Sequence, residues 1–350
     1  MADAERVLVT GGTGFLAGWA IVQLLGRGYR VRTTVRTLSR SQAVRDAVAL
    51  QVEAGDRLEF AVADLRSADG WARAVVDCNY VIHPASPLVS QEGATPEDLI
   101  VPARDGALHV LRASTEAGVR RVVMTSAANT ASPSSYAADG VYDEATFTED
   151  DVAFPAYRRS KIAAEHAAWD FMAGYDGPTT LATVLPGAVF GPVLSAGNLG
   201  SVQVVQRILE GTMPGVPRIG LEVVDVRDVM DLHLRAMTAP EAAGERFLAT
   251  GDFLWMRDIA RTLKSGLGPD GARVRTLQLP DMAVRLAAHR DASLRALMPG
   301  LGRRAVHSTE KAERVLGWRK RPGTQVVLDT ARSLQGWARS DAVGRVRVGR

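Results

Sequence analysis

The sequence contains a single cysteine, Cys78, and this scarcity excludes two classes of protein. One thiol can form neither an intramolecular disulfide nor a cysteine-based metal cluster. The apolar runs are short, and none approaches the roughly 18 residues that a membrane-spanning helix needs. The first residues carry acids and lead directly into a strand, which argues against a secretory signal peptide. We therefore expect a cytoplasmic protein that does not bind membranes.

An excess of charge is also missing. The formal net charge is +3 over 350 residues, too little to favour nucleic acid as a partner. Hydrophobic residues make up 46% and charged residues 23%, as in ordinary globular proteins with a sizeable core. The length suits one large domain or two modest ones. These properties argue against nucleic acid and membranes as partners, so we expect the protein to bind a small molecule.

A glycine-rich turn follows the first apolar run of the chain. Residues 7–10 have the character of a buried strand, and an amphipathic helix is predicted from Phe15 to about Arg27. Between them, Gly11 permits a sharp bend and Gly14 lets a ligand approach the main chain. The free N–H groups at the start of the helix then face a diphosphate. Strand, glycine turn and helix in this order predict a dinucleotide site.

Strands and helices alternate over the first half of the chain. Strands are predicted at 29–36, 58–63, 80–85, 121–126 and 179–186, and helices at 39–54, 68–77, 95–117 and 156–173. This alternation predicts an α/β fold with a parallel sheet covered on both faces. We expect a doubly wound Rossmann sheet, with its ligand at the carboxyl ends of the strands.

The pattern loosens after Pro186, where glycine and proline become frequent. We predict a smaller, discontinuous substrate-binding domain from about 187–220 and 250–305. Residues 1–186, with about 221–249 and 306–340, would form the NADP-binding Rossmann domain. Within these parts we expect a strand at 223–226 that rejoins the main body of the protein, a strand at 273–278 and a helix at 281–297.

Acidic residues are absent between Phe15 and Arg45. A site for NAD usually has an acid after its second strand to hold the ribose hydroxyls, whereas a site for NADP has arginine there. Arg36 closes the predicted second strand and Arg40 follows four residues later, and a guanidinium fork suits a 2′-phosphate. We therefore predict NADP(H). Asp64 and Leu65, at the end of the third strand, are placed either to meet the adenine or to form an ordinary turn.

Tyr157 and Lys161 stand at positions i and i+4 of a predicted helix and so share one face. A free tyrosine has a pKa near 10 and is a poor acid–base catalyst at neutral pH. A neighbouring ammonium favours the phenolate, so we expect Lys161 to lower the pKa of Tyr157. The lysine is also placed to hold the ribose of the cofactor.

With these residues the chain resembles an extended short-chain dehydrogenase/reductase of the dihydroflavonol reductase, cinnamoyl-CoA reductase and aldehyde reductase group, within the NAD-dependent epimerase/dehydratase superfamily. The motifs that carry the resemblance are Thr10–Ala17, Val31–Arg36, Val81–Pro87, Val122–Ser126, Tyr142–Glu144, the Tyr157/Lys161 pair, Leu185–Pro192, Val224–Val229 and Leu316–Trp318.

The resemblance implies reduction of an aldehyde or ketone to the alcohol by hydride transfer from NADPH. Tyr157 would protonate the alkoxide, Lys161 would tune Tyr157, and a serine would hold the carbonyl oxygen. The residues that would hold the cofactor, besides those above, are Gly11, Thr13, Gly14, Phe15, Leu16, Ala85, Ser86, Pro186, Gly187 and Val189.

One position departs from the family pattern. The fifth strand of the family usually ends Thr-Ser-Ser, and the second serine is catalytic. Here the run is Thr125-Ser126-Ala127, so the matching position lacks a hydroxyl. We expect Ser126 to supply it if the strand end shifts, with Thr125, Thr130, Ser132 or a water as alternatives. The loss of one oxyanion donor typically costs about 10²–10³ in rate.

Other readings stay open. One is an NAD(P)-dependent 3β-hydroxysteroid dehydrogenase or a nucleotide-sugar epimerase/dehydratase, and another is a redox sensor that binds NADP without catalysis. We expect no metal site, because the acids before Tyr157 suit a solvated loop. The chain is expected to be a monomer or homodimer. A hydrophobic or aromatic carbonyl is favoured by the apolar residues of the second domain, namely Phe190, Leu194, Leu199, Val202, Met213, Val216, Leu254, Trp255, Met282 and Leu286.

Overall fold

The computed structural model describes residues 4–87, 95–133, 139–195, 199–290, 294–295 and 298–348, with side chains as far as Trp337. Its strands are β1 (Arg6–Val9), β2 (Arg30–Val35), β3 (Leu58–Val62), β4 (Tyr80–His83), β5 (Arg121–Thr125), β6 (Gly140–Tyr142), β7 (Thr180–Pro186), β8 (Ala188–Phe190), β9 (Gly220–Asp225), β10 (Glu245–Ala249), β11 (Asp252–Trp255) and β12 (Ala305–His307). Its helices are α1 (Phe15–Gly26), α2 (Ser41–Ala49), α3 (Trp71–Ala74), α4 (Glu97–Glu116), α5 (Ala156–Ala173), α6 (Val202–Glu210), α7 (Val226–Thr238), α8 (Met256–Gly266), α9 (Asp281–Ala288), α10 (Glu310–Leu316) and α11 (Gly323–Val348).

A parallel sheet forms the centre of the molecule. In the described part of the chain it has seven strands in the order β10-β7-β5-β4-β1-β2-β3. The order reverses between β1 and β4, which is where a doubly wound sheet opens a crevice at the carboxyl ends of its strands. The predicted fold class is confirmed.

Alternating side chains of β1 explain why helices cover both faces of this sheet. Val7 and Val9 belong to the hydrophobic core shared with α1 and α7, while Leu8 belongs to the core shared with α3 and α4. Successive strand residues point to opposite faces, so a strand buried on both sides has to be apolar at every position.

Helix α3 is shorter than predicted. The sequence indicated a helix over 68–77, but only Trp71–Ala74 is helical. Gly70 precedes it with φ +88°, and a Cβ there would lie 2.3 Å from the Val62 carbonyl oxygen. This tight, left-handed approach prevents the helix from beginning earlier.

A second, three-stranded sheet has the order β11-β9-β8 and packs beside the main one. Its core includes Phe190, Val205 and Val223 together with Val326 and Val327 of α11. The strand predicted at 223–226 corresponds to β9, which pairs with β8 and β11 and not with a strand of the main sheet.

Two further segments differ from their predictions, one in its packing and one in its secondary structure. Helix α11, expected with the Rossmann domain, lies against the second sheet, and Asp329 on it accepts a 2.7 Å ion pair from Arg227. The strand predicted at 273–278 is reduced to one bridge between Val216 and Gln278. The division into two domains otherwise stays a prediction.

Within the described residues, the helices are too short or too polar to cross a bilayer.

Candidate active site

The glycine turn fits tightly between three strands. Gly11 has φ +69°, and a Cβ on it would lie 2.9 Å from the Ala85 Cβ at the end of β4. Its N–H donates to the Thr34 Oγ1 of β2 at 2.8 Å. In the described structure no side chain caps Gly14 at the start of α1, and no acid lies in its first turn. The first N–H groups of α1 are therefore open to an anion, as a diphosphate site requires.

The other residues predicted to hold the cofactor surround this turn. Thr13 is exposed beside it, and Phe15 and Leu16 are half-buried in the first turn of α1. Ala85 and Ser86 follow β4, and Pro186 and Gly187 end β7, so they lie along the same carboxyl edge of the sheet. Val189 differs, because it is 8% exposed and packs in the core.

The arginines that follow the turn divide into two groups. The first group has protein partners. Arg30 and Arg32 form ion pairs with Glu59, and Arg27 forms one with Asp231. Arg45 stacks on the Phe60 ring and donates a hydrogen bond to the Leu58 carbonyl. Arg36 and Arg40 are exposed, and within the described residues neither forms an ion pair. The two arginines that the sequence predicts to bind a 2′-phosphate are thus the two of this group without an ion-pair partner in the described structure.

Asp64 and Leu65 lie after β3, as predicted, but their contacts are local. The Asp64 Oδ1 accepts from the Arg66 N–H at 3.0 Å, and its carbonyl accepts from the Trp71 indole at 3.2 Å. Leu65 packs against Gly106 of α4. Both contacts fit the turn interpretation at least as well as an adenine site.

Tyr157 and Lys161 lie in the first turns of α5. The Tyr157 side chain is 49% exposed, and among the described residues its hydroxyl has no hydrogen-bond partner. Lys161 is buried, and its Nζ donates to the Thr125 carbonyl at 3.2 Å. It also lines a small cleft together with His83, Ala85, Ser86, Thr125 and Ser126. Helix α5 therefore brings the lysine to the ends of β4 and β5.

The pKa of Tyr157 differs from the prediction. Although half the side chain is open to solvent, the protein packed around it desolvates the phenol and raises its pKa above the usual value. Burial also lowers the pKa of Lys161 to about 8, against the opposing charge of Glu165. The structure thus supports a neutral phenol beside an ammonium at pH 7.

The hydroxyl groups at the end of β5 are all committed to neighbours. Ser126 Oγ donates to Glu165 Oε2 at 2.5 Å, Thr130 Oγ1 lies 2.5 Å from the same oxygen, and Thr125 Oγ1 lies 2.7 Å from His233 Nε2. A hydroxyl has one hydrogen to donate. The role of Ser126 as donor to a substrate stays a prediction, and this contact weighs against it. Ala127 has extended backbone and is 7% exposed.

Glu165 is the residue that sequence reasoning missed. It is fully buried, and its Oε1 accepts from Arg246 Nε at 2.9 Å and from Thr183 Oγ1 at 3.0 Å. Burial raises its pKa, but the charge of Arg246 and the bonds from Arg246 and Ser126 outweigh this, so the net pKa is below the ordinary value. The signal was an acid four residues after Lys161, on the helix face that also carries Ile162 and Ala168.

Two further expectations can be compared with the structure. The acids before Tyr157 bind protein groups: Asp143 and Asp151 cap turns, Asp150 pairs with Arg159, and Glu144 accepts from the Leu248 N–H. Of the apolar residues expected to line a pocket, Phe190, Val202 and Val216 are core residues, whereas Met282 and Leu286 are exposed.

The fold and this edge of the sheet define a dinucleotide-binding protein of the doubly wound α/β class. Residues 7–249 match the model of the NAD dependent epimerase/dehydratase family. The chain belongs to this family, and the resemblance found in the sequence is confirmed.

Individual relatives agree with this assignment. The chain is 33% identical to cinnamoyl-CoA reductase 1 of Oryza sativa subsp. japonica over 267 residues, 75% of this chain and 76% of the relative. It is 32% identical to the ketoreductase azaE of Aspergillus niger over 284 residues, 75% of this chain and 82% of the relative. The structure of yeast methylglyoxal/isovaleraldehyde reductase Gre2 complexed with NADPH superposes with a TM-score of 0.80 and 23% identity, over 95% of this chain and 99% of that one.

Proposed function

We propose that this protein is an NADPH-dependent carbonyl reductase that converts an aldehyde or ketone into the alcohol. The observation that carries the proposal is the Tyr157–Lys161 pair on α5. The Tyr157 hydroxyl has no hydrogen-bond partner among the described residues, and Lys161, one helical turn on, reaches the Thr125 carbonyl at the end of β5. The names of the curated relatives, cinnamoyl-CoA reductase and ketoreductase, support the same reaction class.

The residues present fit a dinucleotide phosphate. A Cβ at Gly11 would fill the space beside Ala85, and the uncapped start of α1 offers N–H groups to the diphosphate. Arg36 and Arg40, free of ion pairs in the described structure, would hold the 2′-phosphate. When bound, NADPH supplies the hydride.

Tyr157 acts as the proton donor. Reduction requires a phenol that is protonated before the reaction, and desolvation raises the pKa of Tyr157 in that direction. Lys161, held by the Thr125 carbonyl, would bind the ribose of the cofactor with its ammonium and would stabilise the phenolate that remains. The raised pKa keeps the phenol of Tyr157 protonated at neutral pH, which is the form that carbonyl reduction consumes.

The carbonyl oxygen lacks the usual serine. Position 127 is alanine, and the nearby hydroxyls of Ser126, Thr130 and Thr125 are engaged. We expect a water to make this bond, with a turnover lower by about 10²–10³ than a serine would give. A hydrophobic or aromatic carbonyl is the proposed substrate class.

The test is NADPH oxidation, followed by absorbance, with a panel of aromatic and aliphatic aldehydes and ketones, and with NADH in parallel. The variant Tyr157→Phe removes the proton donor and should lower kcat by at least about 10² without changing NADPH affinity. Tyr175→Phe, just past the far end of α5, is the matched control and should keep full activity.

Turnover that survives Tyr157→Phe would contradict the assigned proton donor. NADPH binding without turnover on any carbonyl would reject the reductase and favour the redox-sensor alternative, since a sensor needs the cofactor but no acid.

A further inference from the structure

Three polar side chains outside the Tyr157–Lys161 pair form a continuous hydrogen-bonded chain. Ser132 Oγ lies 2.8 Å from His307 Nε2, and His307 Nδ1 lies 2.6 Å from Glu222 Oε2. The Glu222 Oε1 also accepts from the backbone N–H of His307 at 2.7 Å. Ser132 lies in the loop after β5, Glu222 on β9 and His307 on β12, so distant segments converge here.

The distances and the chain order, serine then glutamate then histidine, match a serine hydrolase triad. Two features argue against a nucleophile. Ser132 is 1% exposed, so an acyl group has no access to its Oγ. The next residue is Pro133, which has no N–H to form the oxyanion hole that follows a hydrolase nucleophile. The arrangement is suited to controlling a hydroxyl rather than to attacking with it.

The hydrogen atoms that link Ser132, His307 and Glu222 can be placed in two ways that satisfy every donor. With His307 neutral and Nδ1–H directed at Glu222, Ser132 donates to Nε2. With His307 protonated, Nε2–H donates to Ser132 Oγ, and the Ser132 hydrogen is free to donate to the Ala128 carbonyl, 3.2 Å away. Protonation of His307 therefore reverses the direction of its hydrogen bond with Ser132 and allows Ser132 to donate a second hydrogen bond to the Ala128 carbonyl.

Ala128 belongs to the turn that follows β5. This turn carries Ala127, the position where the family has its catalytic serine. Arg158, next to Tyr157, donates to the carbonyls of Asn129 at 3.1 Å and Ser132 at 3.2 Å. The loop is thus fixed against the start of α5 on one side and against His307 on the other.

Glu222 links the same chain to the opposite wall of the crevice. A Cβ on Gly187 would lie 2.5 Å from the Glu222 carbonyl oxygen, so the backbone of β9 packs directly on the turn after β7. The three side chains therefore connect the loop beside Tyr157 with the turn at Gly187, which we assign to the cofactor.

We propose that Ser132, His307 and Glu222 form a proton-responsive positioning relay, in which protonation of His307 tightens the post-β5 loop and raises the rate of carbonyl reduction. The proposal rests on the reductase function given above. In the described part of the chain, the titratable side chains that contact His307 are Glu222 from β9 and Tyr142 from β6, whose ring centroid lies 6.0 Å from the imidazole. Imidazole is the side chain that changes charge nearest neutral pH.

The first test compares pH profiles of kcat with NADPH saturating. Wild type should lose about threefold or more in kcat as the pH rises through the titration of His307, beyond the change due to Tyr157. His307→Gln retains hydrogen bonding but has no side-chain proton that titrates. Its pH profile of kcat should therefore lack this decrease, while Kd for NADPH stays within about twofold. His289→Gln, an exposed histidine, should behave as wild type.

Superimposable profiles for wild type and His307→Gln would reject the relay. A parallel loss of NADPH affinity in His307→Gln would assign the three residues to folding alone and would also reject it.

The second test does not require turnover, so it separates this proposal from the reductase assignment. In NMR spectra of the NADPH complex, the amide signals of Ala128–Thr130 should follow the titration of the His307 imidazole in wild type. They should not follow it in Ser132→Ala. Amide signals that ignore the titration in wild type would overturn the relay, even if carbonyl reduction is measured. Covalent labelling of Ser132 by a fluorophosphonate would overturn it in favour of a nucleophile.

Discussion

Glu165 and Arg246 form a buried ion pair beneath the end of β5, with Arg246 Nε 2.9 Å from Glu165 Oε1. The same carboxylate receives Ser126 and Thr130, and the same guanidinium donates to the carbonyls of Glu144 and Thr146 at 2.8 Å. One pair therefore ties the post-β5 loop, the segment before α5 and strand β10 together. Because both side chains are removed from water, the ion pair stabilises the fold only while both groups are charged.

Glu165→Gln should destabilise the protein by about 3–5 kcal/mol, because it leaves the Arg246 charge buried and uncompensated. Urea denaturation followed by circular dichroism measures this. Asp170→Asn changes an exposed acid on the same helix and should cost less than about 0.5 kcal/mol. Equal effects for the two variants would show that Glu165 carries no buried charge.

The stability should fall on acidification from pH 7 to pH 4. Burial lowers the pKa of His83 to about 3 and that of His233 to about 4, so the folded protein keeps both rings neutral while the unfolded chain protonates them below about 6.5. In that window the unfolded state binds more protons, and stability therefore rises with pH, by roughly 1 kcal/mol per pH unit for each histidine.

His233→Gln should flatten part of this slope, and the measurement is the free energy of unfolding at half-unit steps of pH. The variant leaves Thr125 Oγ1 without its imidazole partner, so its stability at pH 7 should also drop. A slope unchanged by the substitution would mean that His233 is not held neutral.

Replacement of both Arg36 and Arg40 by alanine should shift the cofactor preference. The loss of two guanidiniums from a 2′-phosphate site should raise Kd for NADPH by about 10²-fold and leave that for NADH within about threefold. Isothermal titration with each cofactor gives both values. Arg112→Ala is the control. Arg112 is exposed near the C-terminal end of α4, the end that lies away from the carboxyl edge of the sheet. An equal loss for the two cofactors would place the 2′-phosphate elsewhere.

Ala127→Ser should increase turnover, because it introduces a hydroxyl at the position to which the resemblance assigns a serine. A gain of about 10-fold or more in kcat with unchanged NADPH affinity is expected. Ala128→Ser adds the same atom one residue later, where the side chain packs with Leu185 and Leu248, and should only destabilise. An unchanged kcat in Ala127→Ser would show that another donor already serves the carbonyl oxygen.

The sequence was most informative where local patterns are strong. Helix α5 begins and ends at the predicted residues, because Pro155 precedes a long run of good helix formers. The glycine turn lies where the sequence predicts it, and the predicted strands at 29–36, 58–63, 80–85, 121–126 and 179–186 agree with the structure to within two residues at each end. The short strands β6 and β12 were missed, since three-residue strands have no periodicity and their pairing joins distant segments.

The partners of polar residues were hidden for a related reason. Glu165, His307 and Glu222 lie in ordinary local sequence, and only the fold shows that they are buried and paired. The arginines after the glycine turn show the reverse case: they look alike in sequence, and structure separates the four with partners from Arg36 and Arg40.

The contact between Ser132 and His307 joins residues 175 positions apart, and it sets an order of assembly. The central sheet is complete in sequence once β10 has been synthesised at Ala249, whereas the Ser132–His307 contact of the post-β5 loop requires β12. Contacts of such long range form late, because the entropy of closing the intervening chain is spent before they stabilise anything. A nascent chain therefore acquires the strands and helices of the dinucleotide site before the last contact that holds its post-β5 loop can form, and the last fifth of the chain supplies that contact.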